Sequence, residues 1–115
     1  MTTSPMQFIE NTTLPAASAQ LGTYQVPALS VDKIYEIILC NTHTEAVSVD
    51  IWFVPSGGSR IAANKILDSQ NFIMSSGETK FIGLEQRLNE GSQIHGAASV
   101  DSVVSVRISG DRITR

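Results

Sequence analysis

The sequence predicts an all-β domain, an antiparallel β-sandwich of jelly-roll type with seven or eight short strands and at most one short helix. Three observations support this class. Apolar and polar side chains alternate over short segments, which is the period-two pattern of a strand with one buried face. Turn-forming residues separate these segments at roughly 8–12-residue spacing. Most connections are too short for a crossover between parallel strands, so we expect antiparallel pairing.

Length and composition fit one folded domain. The chain has 115 residues, of which 42% are hydrophobic and 17% are charged, so it can bury a core and we do not expect disorder. The formal net charge is -3, and acidic and basic residues are interspersed. A nucleic-acid surface needs clustered Lys and Arg that neutralise phosphates. We therefore expect no nucleic-acid partner.

Residue content also argues against several kinds of site and segment. Cys40 is the only cysteine, which excludes an internal disulfide and a cysteine-based zinc site. Its position at the end of an apolar segment predicts a small buried side chain. No apolar run approaches the roughly 20 residues of a membrane helix. Residues 1–5 contain neither a basic nor an apolar leader region, so we expect no secretory signal and no membrane association.

The first 20 residues differ in kind from the rest of the chain. They are rich in Thr, Ala, Ser and Pro and show no periodicity after residue 10. We predict an extended N-terminal arm over residues 1–20 and a β-sandwich domain over residues 21–115. Phe8 and Ile9 are predicted to contact a neighbouring subunit or another protein. A strand that completes the chain's own sheet satisfies these two residues equally well.

A predicted hairpin over residues 33–55 forms the centre of the sandwich. An apolar strand ends at Cys40, residues 41–45 turn the chain, and apolar side chains then occupy alternate positions over residues 47–53. Trp52 falls on the polar face of this second strand. Either a loop or the N-terminal arm covers it, or it contacts a partner, because Trp is enriched among residues that dominate binding energy at interfaces.

Shorter elements complete the prediction on either side of the hairpin. Further strands are predicted over residues 21–26, 72–74, 79–84, 93–99 and 103–109. Residues 60–68 form the only predicted helix, because apolar side chains recur there four residues apart. Residues 85–90 are predicted to form a loop or one helical turn. Gly110 is predicted to break the last strand, with an extension towards Ile113 left open.

No catalytic, metal or cofactor site is predicted. His43 falls in the hairpin turn and His95 in a strand of small residues, and neither accompanies a nucleophile motif. We therefore expect no catalytic triad and a partly buried or interfacial His95. The scattered His, Asp and Glu residues show no metal-ligand spacing. One binding alternative stays open, in which Trp52, Tyr35 and Tyr24 form an exposed platform that stacks on a sugar.

Short motifs at the ends of the predicted strands resemble those of a known group of proteins. They are Val26-Pro27, Cys40-Asn41-Thr42, Val54-Pro55-Ser56-Gly57, Ser75-Ser76-Gly77-Glu78-Thr79, Leu88-Asn89-Glu90-Gly91-Ser92-Gln93-Ile94 and the closing strand from Val104 to Gly110. Together they make residues 22–110 similar to small β-sandwich virion structural proteins of tailed bacteriophages. Members of that group are capsid cement or decoration proteins, head fibres or tail accessories. Ser92 stands where the group commonly has Asp, and the motifs contain no active-site residue.

The resemblance implies a non-enzymatic virion protein, first of all a capsid cement or decoration protein that binds and stabilises the capsid surface. A tail or baseplate accessory protein and a receptor- or carbohydrate-binding module are the alternatives. The resemblance further implies phage capsid or tail proteins as partners, a homotrimer, and a place in the virion after assembly in the host cytoplasm. The predicted arm has no counterpart in the group, but an arm that reaches a neighbour suits a protein that bridges capsomers. The predicted contact residues are therefore Phe8, Ile9 and Trp52.

Overall fold

The computed structural model describes all 115 residues and consists of β-strands joined by turns. The nine strands are β1 (Thr2–Thr13), β2 (Ala19–Gln25), β3 (Ser30–Asn41), β4 (Val47–Val54), β5 (Lys65–Leu67), β6 (Ile73–Met74), β7 (Thr79–Leu88), β8 (Gln93–Ala98) and β9 (Val104–Thr114). A 3-10 turn at Ala62–Asn64 is the one helical element, and no helix has the length and hydropathy to cross a membrane. The predicted all-β class is confirmed, with nine strands where the sequence predicts seven or eight.

The strands form two antiparallel sheets packed face to face. Sheet 1 has the strand order β1-β9-β3-β7, and sheet 2 has the order β2-β8-β4-β5, with β6 also paired to β4. Every strand pairing is antiparallel. Successive strands from β1 to β4, and again from β7 to β9, alternate between the two sheets. This is the double-sheet arrangement of a jelly roll, as the sequence predicts.

The core lies between the sheets and is mainly aliphatic. Ile37 and Leu39 of β3 belong to the same buried cluster as Val49 and Ile51 of β4. The alternation predicted for β4 is confirmed, because its odd-numbered residues from Val47 onward are buried against the other sheet. The hairpin predicted over residues 33–55 is wrong: β3 and β4 lie in different sheets and do not pair, so residues 42–46 connect the two layers of the sandwich.

β3 departs from strict alternation at one point. Its register with both neighbouring strands shifts between Ile34 and Glu36, which is a β-bulge. Tyr35 and Glu36 are both exposed, whereas Ile34 and Ile37 on either side are fully buried. The bulge explains why the apolar residues of this strand do not follow a simple alternating pattern in the sequence.

The N-terminal segment is part of the sandwich, which corrects the predicted arm and the boundary after residue 20. β1 pairs along β9 from Thr2 opposite Thr114 to Thr13 opposite Ser105, and Ile9 lies in the core. Of the two alternatives left open by the sequence, the strand that completes the chain's own sheet is the one observed. The physical reason is that β1 pairs with the side of β9 that β3 leaves free.

The helix predicted over residues 60–68 is wrong. This segment forms the 3-10 turn at Ala62–Asn64 followed by β5. Ile61 and Ile66, the side chains that would have anchored a helix, are exposed. Lys65 instead pairs across the sheet with Trp52, and its amine lies 3.0 Å from the Asp50 carboxylate. The apolar residues that recur four positions apart in this segment therefore do not pack against the core.

β7 and β9 both run further than the sequence predicts. β7 continues to Leu88 through the segment predicted as a loop or helical turn, and β9 passes through Gly110 to Thr114. Gly110 does not end the strand. A Cβ atom at this position would collide with the carbonyl oxygen of Lys33 on β3, so glycine is needed for the close approach of the two strands.

Candidate interaction surface

The outer face of sheet 1 carries the most exposed aromatic side chain of the molecule, Phe81. Phe81 on β7 and Arg107 on β9 both pair with Ile38 on β3, so these three side chains lie in one row across the sheet. Phe81 is 69% exposed, and Tyr35, further along β3, is 39% exposed. We call the set Tyr35, Glu36, Ile38, Phe81, Gly83 and Arg107 the sheet-1 surface.

Local sequence explains why this surface is open. β7 alternates regularly, so that Ile82 and Leu84 pack towards the core and Phe81 points to the opposite side. The bulge in β3 exposes Tyr35 and Glu36 together. Gly83 pairs with Glu36 and has no side chain, so nothing covers the sheet between Tyr35 and Phe81. The surface therefore combines two exposed rings with bare backbone.

A shallow depression adjoins Tyr35 on the side of β1. It has a volume of about 560 Å³ and is lined by Pro5, Met6, Gln7, Tyr35, Glu36, Ser109 and Gly110. Its lining is part of the outer face of sheet 1 and contains one carboxylate, no histidine and no cysteine. A shallow depression on an exposed sheet face suits contact with another macromolecule.

A polar cluster lies between the sheets below this surface. Asp32 is fully buried and accepts hydrogen bonds from Arg112 Nε at 2.8 Å and Arg112 Nη2 at 3.0 Å. The Tyr24 hydroxyl donates to the same carboxylate at 2.5 Å, and Phe8 packs edge-on against the Tyr24 ring. The Arg112 guanidinium lies 5.5 Å from the Phe8 ring centroid. The cluster thus ties together β1, β2, β3 and β9.

The charges in this cluster are mutually satisfied. Burial and the hydrogen bond to Asp32 raise the pKa of Tyr24 far above its ordinary value. The hydrogen bond from Arg112 to Asp32 raises the pKa of the guanidinium. Both shifts in pKa favour a neutral Tyr24 phenol and a charged Arg112 guanidinium. The role of the cluster is to fix strands, and it offers no free group for chemistry.

His95 is not part of a catalytic arrangement. Its Nδ1 atom lies 2.7 Å from Arg60 Nη1 and accepts that hydrogen bond, while its Nε2–H donates to Gln93 Oε1 at 2.8 Å. Neither ring nitrogen contacts a Ser or an Asp, so no triad forms here. Burial and the positive charge of Arg60 lower the pKa of His95, which favours the neutral ring. His43 lies apart, in the turn after β3.

The three predicted contact residues are not brought together. Ile9 is buried in the core at 4% exposure, so it offers no surface to a partner, and Phe8 is half-buried against Tyr24. Trp52 is 8% exposed on the outer face of sheet 2. Its ring is covered by Lys65, whose amine lies 5.1 Å from the ring centroid. The N-terminal segment does not cover Trp52, because β1 belongs to the other sheet.

The predicted aromatic platform is also absent. Tyr24 is buried between the sheets, Tyr35 faces outward from sheet 1, and Trp52 lies on the far side of sheet 2. The three rings therefore cannot stack on one sugar. Cys40 is half-buried on β3 and does not belong to the core, contrary to the sequence prediction. No group of three His, Cys, Asp or Glu side chains lies close enough to share a metal ion.

Phe81 is the residue that sequence reasoning missed. The signal was present, because Ile82 and Leu84 occupy the opposite parity from Phe81 in the same strand. Only one parity of a strand can face the core, and the pair of aliphatic residues takes it. When both the odd and the even positions of a strand carry apolar residues, the sequence alone does not show which set faces the core.

Comparisons with known proteins support the fold. No family model matches the chain, and no curated protein matches it. Among solved structures, that of infectious bursal disease virus strain Gx is similar, with a TM-score of 0.55 and 8% identity over 98% of this chain and 32% of that chain. The T13 particle of the same virus gives a TM-score of 0.53 and 10% identity, covering 96% and 30% of the two chains.

The chain spans about a third of the length of these viral chains. A third structure, the Drosophila NLP core, solved for insight into pentamer formation and histone binding, has a TM-score of 0.48 and 16% identity, covering 97% of this chain and 98% of that chain. At such low identities the likeness to the two viral structures shows the fold alone, a jelly-roll-like β-sandwich. It does not carry partners or activities from one protein to the other.

Proposed function

We propose that the protein is a non-enzymatic virion structural protein that binds the surface of a phage capsid as a cement or decoration protein. The observation that carries the proposal is the exposed sheet-1 surface, centred on Phe81 and Tyr35. Its rings lie on a regular, rigid sheet, so binding would order little backbone. The jelly-roll fold and the family motifs point to the same class of protein.

The family motifs support the proposal through the fold. Asn41 of the Cys-Asn-Thr motif is fully buried and binds the backbone at the end of β6. Gly77 has a φ of 72°, and the Glu78 carboxylate accepts a hydrogen bond from the Ser75 N–H at 2.8 Å. Gly110 allows β9 to approach β3. These residues explain why the pattern accompanies this sandwich, and the contact with a capsid is argued separately from the sheet-1 surface.

Phe81 is the anchor that we assign to the capsid contact. Large aromatic residues dominate the energy of many protein interfaces when they enter a pocket of the partner. Glu36 lies opposite Gly83 and Arg107 lies beyond Ile38 in the row of Phe81, and these charges of opposite sign would orient the partner. We expect truncation of Phe81 to weaken capsid binding by at least about tenfold, in line with a loss of 1.4 kcal/mol or more.

The test compares two exposed apolar residues on different sides of the molecule. Phe81→Ser removes the proposed anchor, and Ile73→Ser on β6 removes a side chain that is also largely exposed, 57% against 69%. Purified proteins are mixed with isolated tailed-phage heads that lack the protein and are sedimented with them. We expect the wild type and Ile73→Ser to sediment with heads and Phe81→Ser to stay in solution. Circular dichroism confirms that each variant is folded.

Two results would overturn the proposal. Equal sedimentation of Phe81→Ser and wild type would remove the sheet-1 surface as the contact. Binding of the wild type to isolated tails in place of heads would favour the tail or baseplate alternative. The homotrimer and assembly in the host cytoplasm, which the family resemblance implies, stay predictions of the proposal. The mass of the purified protein tests the first of them.

A further inference from the structure

β7 presents a ten-residue free edge of the sandwich, with one register shift against β3 between Gly83 and Gln86. It forms the border of sheet 1 and pairs only with β3. The opposite border, β1, contains Pro5 and two register shifts. In sheet 2, β2 has a register shift at its centre, and β5 has three residues. An edge strand exposes unpaired backbone N–H and C=O groups that another strand can bind.

The first half of the β7 edge carries an inward-pointing charge that opposes the addition of another strand, and the second half does not. Lys80 pairs with the buried Leu39 and therefore lies on the inner side of β7, with its amine 5.1 Å from the Phe72 ring centroid. A charge that points inward from an edge strand opposes the addition of a further strand. From Leu84 to Leu88 no charge lies on the inner side, where Leu84, Gln86 and Leu88 alternate.

The second half of β7 is complementary to itself. Glu85 and Arg87 are exposed neighbours on the outer side, and neither forms an ion pair within the chain. Arg87 lies directly opposite Lys33 of β3, a like-charge pair that destabilises a sheet. An antiparallel copy of β7 centred on Gln86 would place a carboxylate beside each Arg87.

We propose that β7 pairs in antiparallel orientation with β7 of a second copy of this chain, centred on Gln86. In this register Glu85 of each copy faces Arg87 of the other, and Leu84 of each faces Leu88 of the other. The two ion pairs lie on the outer side and the leucines on the inner side. The contact is isologous, so it closes after two copies.

The paired copies form one continuous sheet with a twofold axis perpendicular to it. Both sheet-1 surfaces therefore lie on the same side of the joint sheet. Two contact surfaces on one rigid body would raise the apparent affinity for a repetitive partner without any new contact. This inference stands apart from the proposed function, because it concerns self-association and needs no capsid for its test. It predicts a dimer where the family resemblance implies a homotrimer, and the mass of the purified protein decides between the two.

Charge reversal tests the pairing. Sedimentation equilibrium measures the mass of the wild type, of Glu85→Arg, of Arg87→Glu, and of an equimolar mixture of the two variants. We expect the wild type to show twice the 12.4 kDa chain mass, each single variant to dissociate at least about tenfold more readily, and the mixture to recover the wild-type mass. Recovery is expected because each mixed dimer restores both ion pairs, one in the wild-type arrangement and one with the charges exchanged. Arg107→Glu, on the same face but away from β7, serves as the control and should keep the wild-type mass.

Three results would overturn the inference. The first is a monomeric wild type at about 100 µM, a concentration at which even weak pairing is populated. The second is an oligomer that both charge reversals leave intact, since its contact must lie elsewhere. The third is a mixture of folded variants that stays monomeric. Circular dichroism of each variant identifies misfolding, and recovery of mass in the mixture is itself proof that both variants are folded.

Discussion

Asn41 shows how one buried amide can hold several segments in place. Its Nδ2 group lies 3.1 Å from the carbonyl oxygens of Glu45, Met74 and Ser75, and its Oδ1 accepts a hydrogen bond from the His43 N–H at 2.9 Å. The side chain thereby joins the end of β3 to the turn that follows it and to β6. Since it is fully buried, each of these bonds replaces a contact with water.

Asn41→Asp should destabilise the fold strongly. The substitution keeps the size of the side chain but replaces the donor group by a carboxylate oxygen that faces three carbonyl oxygens. We expect the free energy of unfolding to fall by about 3 kcal/mol, measured by urea denaturation followed through Trp52 fluorescence. Thr42→Ala is the control, since it removes an exposed hydrogen bond to Val103 and should cost about 1 kcal/mol or less. Equal losses for both variants would contradict this account of Asn41.

His95 makes stability depend on pH in one direction. Burial and Arg60 lower its pKa in the folded protein, so the unfolded chain takes up the proton first as the pH falls. The stabilisation is complete above the ordinary value of 6.5 and is lost as the pH falls below it towards the lower folded value. We expect the urea midpoint to drop between pH 7.5 and 5, and to drop less in His95→Asn. His43 is present in both proteins and cancels in the comparison, so an identical pH response would contradict the assignment.

At the scale of elements, the sequence predicts a strand well where one face of the strand is buried and the other is exposed to solvent. β4 follows its predicted alternation because its inner residues from Val47 on meet sheet 1. β1 and the end of β7 escape prediction because they are edge strands, and most of their side chains are exposed on both faces. Without a buried face, residues such as Glu85 and Gln86 give no period-two signal and resemble a loop.

The false helix and the false strand end have different causes. The spacing over residues 60–68 imitates a helix, but strand pairing with β4 and the salt bridge from Lys65 to Asp50 outweigh a weak helical preference. Gly110 has the local features of a strand breaker. Its actual role depends on the distance to Lys33, a residue far away in sequence, and no local pattern contains that distance.

Gly110→Ala and Gly83→Ala should differ sharply. Both glycines lie in sheet 1, but a Cβ atom at Gly110 meets the Lys33 carbonyl, whereas at Gly83 nothing lies within 4 Å. We expect Gly110→Ala to lower the free energy of unfolding by about 3 kcal/mol, because the strands must separate. Gly83→Ala should change it by only about 0.5 kcal/mol. Thermal unfolding of the two variants side by side measures both, and a similar shift in each would show that the close approach is not needed.

For the whole molecule, the sandwich arrangement decides which residues are available to partners. Phe8, Ile9 and Trp52 are large and apolar, which made them candidates in the sequence, and the assembled sheets bury or cover all three to different degrees. Phe81 points outward by the alternation of β7 and has a neighbouring strand on one side only, and strand order is not written in any local segment. The fold class was therefore predictable, whereas the candidate surface depends on topology.

The first and last strands are neighbours, and this has a testable effect on folding. Thr2 pairs with Thr114, so β1 and β9 join the two ends of the chain. A circular permutant that links the ends by a short flexible segment and opens between Gly57 and Gly58 should keep the native fold. It should also fold faster than the wild type, because the β1–β9 pairing becomes local. Stopped-flow refolding measures the rate.

A second permutant, opened within β4 between Val49 and Asp50, is the control for this experiment and should not fold, because it interrupts a central strand. If the permutant opened between Gly57 and Gly58 does not fold, the expectation that β1 and β9 can be joined by a short segment without loss of their pairing is wrong. Slower refolding than the wild type would contradict the argument from the distance between the paired ends along the chain.

The pairing of Thr2 with Thr114 also sets a direction for anything attached to the protein. Peptides fused to either end would leave from the same corner of sheet 1, side by side. That corner also holds the start of β3 and the end of β7, whereas Phe81 lies nearer the other end of the sheet. If the protein decorates a capsid as we propose, peptides fused to either end would therefore project at the same place, and the choice of end would not change where a displayed antigen sits.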